Sequence, residues 1–580
     1  MKPILLPFSI KEVRDMSKCF YTKAPPLTHP QSNFKGFSPG LTVLTKGYVH
    51  GEGHKPLGCD ILLERDVGIK LRDGMTIRAD IFRPVTKEKI PVILCSSIFG
   101  KNGSYVTYDF AARKFGHPNR VNVPLSATTG LDVWECPDPG FWCLNNYAIV
   151  YMDPRGVGMS EGDAHYFGTQ DATDNYDVIE WLAKQEWCNG KVAMGGNSWL
   201  GITQWYTAAL SPPHLTCIAP WEGHGNMYVD EYMRGGIPHI SIVRVNMCYG
   251  NNHMEDLPAA MKAYPLMNDY WEDKAADFEK ITVPAYVVAS YTSQVHARGT
   301  FDGFRRISSK EKWLRVHNNQ EWGDLHRPEN EEDLLKFFDF YLKEIPNDWA
   351  KTTRVRLSVL NPGHQDIVYR NEETFPLERQ NLKKMYLDID KMSLNEVKPE
   401  VSATKSYISD DGQDTLSFTY IFNERTEITG YIKLHIWAAA KEHYDMDIYG
   451  KISKKNSNGE YLFNDAVTYQ YGGPNTMLRA SLRELDREKS SICEPVHTFT
   501  KPQLLNPGIP IILEMGFWPT SLLFEAGEQL ELTIAGFDYK GLDSPRDSIR
   551  DNGNFGEHII YSGDEYDSHL ILPVIPPNNS

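Results

Sequence analysis

The segment Lys191-Val-Ala-Met-Gly-Gly-Asn-Ser198-Trp-Leu-Gly201 constrains this chain more than any other. Its apolar start reads as a buried strand, its glycine pair as a tight turn and its continuation as a helix. A serine at the apex of such an elbow has its hydroxyl exposed at the carboxyl end of a parallel sheet, where a base can reach it. The helix runs on through Leu210 and stops at Ser211-Pro-Pro213, because proline cannot continue it.

The flanking sequence supplies the sheet. Strands are predicted at Ile61-Leu-Leu-Glu64, Thr76 to Phe82, Val92-Ile-Leu-Cys95 and Tyr147 to Tyr151, with an amphipathic helix from Ala172 to Gln185. Two further strands, Ala285-Tyr-Val-Val-Ala289 and Trp313-Leu-Arg-Val316, enclose a helix from Phe301 to Ile307. Between them and the elbow, a stretch rich in Met, Tyr and acidic residues without strand alternation predicts a helical cap, and Asn347-Asp-Trp-Ala-Lys-Thr352 reads as a linker. From Thr353 the texture becomes short alternating strands, such as Arg354 to Val359, Gly430 to Trp437 and Gln529 to Ile534, the signature of an all-β sandwich. The expected division is 1–224 with 276–350 for the core, 225–275 for the cap and 351–580 for the sandwich.

Composition excludes several function classes. The net charge is −16 with Lys and Arg scattered, so the footprint of a nucleic-acid or anionic-membrane binder is missing. No apolar run approaches membrane-spanning length, and Ile4 to Phe8 is too short and Pro-interrupted for a secretory signal, so the expectation is a cytoplasmic protein. Nine dispersed cysteines without metal spacing read as reduced thiols, and the terminal Asn-Asn-Ser580 is no peroxisomal signal. Gly156 and Gly158 lack the full dinucleotide pattern, and no His and acid set has the HExxH spacing, so neither cofactor nor metal is expected. A small-molecule substrate fits, and a homodimer is compatible with the sequence.

Taken together, Arg72-Asp-Gly74, Ala79-Asp-Ile-Phe-Arg-Pro84, Asp153-Pro-Arg-Gly-Val-Gly-Met-Ser-Glu-Gly162, Gly196-Asn-Ser-Trp-Leu-Gly201, Ile218-Ala-Pro-Trp-Glu-Gly223, Phe337-Phe-Asp-Phe-Tyr-Leu342, Leu482-Arg-Glu-Leu-Asp486 and Trp518-Pro-Thr520 resemble the cocaine-esterase and X-prolyl dipeptidyl aminopeptidase (CocE/NonD) family of serine hydrolases, over nearly the full length. The resemblance implies an α/β-hydrolase core, an inserted helical cap and a C-terminal jelly-roll sandwich. It also implies a Ser-Asp-His triad, with Ser198 as nucleophile and the Trp199 amide as first oxyanion donor.

The remaining family positions depart. Where the family has a tyrosine hydroxyl as second oxyanion donor, this chain has Ile98-Phe-Gly-Lys101, and Phe99 cannot donate. The acid's turn reads Ser290-Tyr-Thr-Ser293, with no anion, and the base's position aligns with Glu321 in His317-Asn-Asn-Gln-Glu321. One reading is a rearranged triad, with His296 as base and Glu321 orienting it. A second uses His317 or His326 as base with Glu321, Asp324 or Glu222 as anion. His224 with Glu222 is read as a structural pair or pocket lining. Trp221, Met227, Tyr228, Tyr232, Met233 and Tyr270 are candidates for an apolar pocket wall or plain core.

Two functions follow as expectations. The first is a serine hydrolase or acyl-transfer enzyme for an ester, lactone or amide of a hydrophobic small molecule, in specialised metabolism. The second is a cyclase, isomerase or carbon–carbon lyase that reuses the pocket without an acyl-enzyme.

Overall fold

A computed structural model describes residues 18–103, 124–239, 248–465, 470–538 and 553–576. The runs at Ile4 to Phe8 and at Ser580 lie outside them. An eleven-stranded sheet organises the first part of the chain: β1 (Gly40–Leu44), β2 (Ile61–Lys70), β3 (Thr76–Pro84), β4 (Ile90–Ser96), β5 (Ala148–Asp153), β6 (Cys188–Asn197), β7 (Leu215–Trp221), β8 (Ala285–Ser290), β9 (Lys312–His317), β10 (Val355–Val359) and β11 (Ile367–Glu372). Their spatial order is β11-β10-β9-β8-β7-β6-β4-β5-β3-β2-β1. The seven strands from β10 to β5 in that order are parallel, and β1, β2, β3 and β11 pair antiparallel at the two margins.

Burial explains the patterns of these strands. β4, β5 and β8 are buried at every position, because helices cover both faces, and they therefore read as unbroken apolar runs. Successive residues serve opposite cores: Val92, Val192 and Val287 pack on one face, Ile93, Ala193 and Val288 on the other. The first face is covered by α1 (Gly168–Ala183), α2 (Trp199–Ala209) and α3 (Ala297–Arg306). The second is covered by α5 (Pro328–Leu342), which follows the short α4 (Glu321–Leu325).

The cap is built of short pieces, helical at Met227–Tyr232, Leu257–Ala263 and Asp269–Asp273, with one strand, His253–Glu255, pairing Tyr21–Lys23. The third layer is an all-β jelly-roll sandwich between Asn381–Asp388 and His569–Ile575, its core formed by residues such as Ile436, Leu513, Leu532 and Leu570. The run expected as one strand from Gly430 is two, Thr426–Gly430 and Lys433–Ala440. Arg234 of the cap lies 4.0 Å over the Trp518 ring and donates to the Asn475 carbonyl at 2.6 Å, which docks sandwich against cap.

Strand pairing crosses the expected boundary at 350: β10 and β11 join the core sheet, which therefore runs to Glu372. Alternation reveals a strand but not its partner. Residues 347–352 are no linker: Trp349 is fully buried among Tyr286, Trp313 and Phe337. No helix among the described residues is long and apolar enough to cross a membrane.

Candidate active site

Ser198 sits between the end of β6 and the start of α2 with φ 56° and ψ −117°, a conformation that costs a side-chain-bearing residue about 1–3 kcal/mol. Three backbone hydrogen bonds hold it there: Ser198 N–H to Trp221 O at 2.9 Å, Asn197 N–H to Glu135 O at 3.1 Å and Ile202 N–H to Ser198 O at 2.8 Å. Two glycines make the elbow possible. A Cβ on Gly196, whose φ is 125°, would lie 2.7 Å from Leu200, and one on Gly201 would lie 2.6 Å from the Trp221 carbonyl oxygen. Trp199 opens α2, so its N–H has no acceptor within the helix and is available to an oxyanion.

His296 reaches the serine. Its Nε2 lies 3.1 Å from Ser198 Oγ, the distance a general base needs. The turn that carries it is built from the hydroxyls of the segment that lacks the family's acid. Ser290 Oγ accepts from Ser293 N–H at 3.2 Å, and Ser293 Oγ accepts from His296 N–H at 3.1 Å. Behind the turn, Gly299 packs so closely that a Cβ there would lie 2.6 Å from the Cα of His224. Arg298 pairs with Asp230 of the cap at 2.6 Å.

Glu321 is not placed as expected. Its carboxyl lies against that of Glu222, and Glu222 is in turn ion-paired with His317, Oε1 to Nε2, at 2.6 Å. His317 Nδ1 lies 3.0 Å from the Asn319 carbonyl oxygen, and its Nε2 faces the Glu222 carboxyl. Burial favours neutral His317, but the charges of Asp324 and Glu222 outweigh it and raise its pKa. Burial would likewise raise Glu222, yet the His317 hydrogen bond and charge hold it at about 2. Burial and the Glu222 charge both push Glu321 well up, so it is a neutral acid. Glu222 is thus the anion that faces His317, and its pKa is also lowered by the charge of His296. A sequence shows which loops meet; it does not show which of two carboxyls keeps its proton.

Sequence reasoning missed Glu135. It has a positive φ of 64°, is buried, and accepts the Trp322 indole N–H on Oε1 at 3.0 Å. Burial raises its pKa to about 8, with Trp322, Asn197 and Ser198 pulling it back and Glu222 adding to the rise. The signal for it lies in Val133-Trp-Glu-Cys-Pro137, a lone acid among apolar residues in a segment with no periodicity.

The other candidates are occupied elsewhere. Phe99 is buried in the core, on a turn pinned by Lys101, whose Nζ lies 2.9 Å from both Asp66 and Asp80. The Trp221 side chain packs on Tyr286 and under Arg315 on the opposite face of the sheet, so only its carbonyl serves the elbow and it does not line a pocket there. His224 pairs with Glu231 at 2.7 Å, not with Glu222, and its ring stacks on that of His296 with centroids 5.8 Å apart. Asp324 is bound to Arg315 at 2.5 Å, and His326 lies 3.8 Å from Asp132 and 3.9 Å from Glu331. Met227, Tyr228, Tyr232, Met233 and Tyr270 are core residues; the aromatic rings beside the elbow are Trp199 and Phe167, with centroids 4.1 Å apart.

Residues 73–246 match the X-Pro dipeptidyl-peptidase (S15) family, and residues 347–571 match the X-Pro dipeptidyl-peptidase C-terminal non-catalytic domain. A crystal structure of a CocE/NonD family hydrolase from Staphylococcus aureus superposes with a TM-score of 0.85 at 32% identity, over 93% of this chain and 97% of that one. The chain belongs to the CocE/NonD hydrolase family. Cocaine esterase from Rhodococcus sp. (strain MB1 Bresler) is 29% identical over 165 residues, 28% of this chain and 24% of the esterase, so the match spans about a quarter of that relative. An α-amino acid ester hydrolase shares the fold, at TM-score 0.67 and 18% identity over 89% of this chain and 97% of that one. Within this CocE/NonD chain, a histidine occupies the loop where the family resemblance implies an acid, and an acid occupies the loop where it implies a histidine.

Proposed function

We propose that the protein is a serine hydrolase or acyl-transfer enzyme that acts on an ester, lactone or amide of a hydrophobic small molecule. The observation that carries this reading is the 3.1 Å approach of His296 Nε2 to Ser198 Oγ on a strained elbow. In the reaction, His296 takes the Ser198 proton as Oγ bonds to the carbonyl carbon, and the carbonyl electron pair moves onto oxygen beside the Trp199 amide. Collapse breaks the bond to the leaving group, which leaves with the proton from His296. Water or a second nucleophile then repeats the sequence and frees Ser198.

Charge supports an uncharged substrate over a peptide amine. Of the carboxyls Glu135, Glu222 and Glu321, only Glu222 is ionised at neutral pH and His317 balances it. Trp199 and Phe167 give the elbow an aromatic flank suited to an apolar group. A cytoplasmic role in specialised metabolism is consistent with this chemistry. Intact-mass measurement of fluorophosphonate labelling tests the reading: stoichiometric labelling that disappears in Ser198→Ala is expected, and an unlabelled folded protein would refute it. A second reading, an acid–base cyclase, isomerase or lyase, is favoured by one observation, that Phe99 offers no hydroxyl to an oxyanion. It requires substrate turnover to survive in Ser198→Ala.

A further inference from the structure

The site as described has one oxyanion donor, the Trp199 amide, and a phenylalanine where its family resemblance implies a second. It also holds an acid that the reaction above does not use. Glu135 is positioned with care: its carbonyl oxygen is tied to Asn197 N–H at the elbow, Trp322 Nε1 donates to Oε1 at 3.0 Å, and Trp322 itself packs at a tilt on Trp134 with centroids 4.5 Å apart. The positive φ at Glu135 adds backbone strain that the fold must offset. Its second oxygen, Oε2, is buried and makes no hydrogen bond of good geometry among the described residues, although the Asn197 and Ser198 side chains lie beside the carboxyl. A buried polar atom left unmatched is costly and calls for an explanation.

We propose that Glu135 is the second oxyanion donor: its protonated carboxyl donates a hydrogen bond to the oxygen of the carbonyl that Ser198 attacks, the role Phe99 has no hydroxyl to fill. The inference rests on the acyl-transfer reading. No proton is transferred in the step. The carbonyl π pair becomes an oxyanion, the Glu135 O–H and Trp199 N–H bond to it, and both are released when the carbonyl reforms. The protonation state fits. Burial and the Glu222 charge hold Glu135 neutral up to about pH 8. The other titratable groups around it are Glu321, which is neutral, Cys136, whose thiol burial pushes well up, and the Ser198–His296 pair. A neutral carboxylic acid donates a hydrogen bond at neutral pH, where its anion would repel the oxyanion.

The phosphoryl oxygen of a fluorophosphonate occupies the place of the carbonyl oxygen, so the rate of Ser198 labelling reads the donor without knowledge of the substrate. In the full-length wild type, the labelling rate is expected to fall as pH rises through about 8, as Glu135 loses its proton. Glu135→Gln keeps an N–H donor but cannot ionise, and it should label without that alkaline fall. Glu135→Ala should label about 100- to 1000-fold more slowly at pH 7. An alkaline fall that persists in Glu135→Gln, or a Glu135→Ala rate within threefold of wild type, would overturn the proposal while leaving the nucleophile reading in place. Absence of any labelling at Ser198 would overturn that reading and this inference with it.

Discussion

The loop after β8 and the end of β9 with its following loop each carry a histidine beside buried polar groups, yet they are opposite devices. The β8 loop is built from neutral hydroxyls, and its histidine faces a serine 3.1 Å away. The end of β9 and its loop form a closed charge cluster, in which Glu222 holds the His317 Nε2 at 2.6 Å and raises its pKa, and Glu321 is pushed toward its neutral form beside them. A base must exchange a proton with its partner at working pH, and His317 is already engaged with the Glu222 carboxylate, which favours its charged form. The comparison teaches that the loop with the richer set of ionisable groups is the structural one.

The largest effect that could break this contrast is on the base. His296→Gln should slow Ser198 labelling and turnover by about 100- to 10,000-fold with little change in melting temperature, whereas equal losses in His296→Gln and His317→Gln would erase the distinction. Next comes stability. His317→Gln leaves Glu222 without its counter-charge and should cost about 3–5 kcal/mol in denaturant unfolding, with labelling of the folded fraction kept within about tenfold.

The pH dependence sharpens the point. Glu222, depressed from 4.5 to about 2, stabilises fully above about pH 4.5 and loses this as pH falls. His317, raised from 6.5, stabilises fully below about pH 6.5 and loses this as pH rises through its folded pKa. The melting-temperature gap between wild type and His317→Gln should therefore be widest between about pH 4.5 and 6.5. A gap that does not vary with pH would show that the pair is not ionised. Smallest is Glu321→Gln, which replaces one neutral hydrogen-bonding group with another and should change stability by about 1 kcal/mol or less. A loss as large as that of His317→Gln would mean that Glu321 carries charge.

Much of the fold was legible because the elbow fixes a strand, a turn and a helix in order, and because fully covered strands such as β4 and β8 leave unbroken apolar runs. The junction was not, since the alternation of β10 is the same whether it joins a parallel sheet or a sandwich. In the site, the elbow that holds Ser198 was legible in its turn, and the loop that brings His296 beside it was legible in its place after a strand. The partner of Glu321 could not, because two adjacent carboxyls share charge according to distances that a sequence does not contain. Glu135 escaped notice because it lies 63 positions before Ser198 in a segment without periodicity, and what marks it is an unmatched oxygen.

The Asn475 side chain of the sandwich donates to Gln294 Oε1 at 3.3 Å, two residues before His296 and 181 positions away along the chain. In order of synthesis the elbow, residues 191–201, comes first and the brace for the His296 loop follows long after it. A polypeptide cut between the two would keep Ser198 and His296 yet lack the sandwich contact beside them.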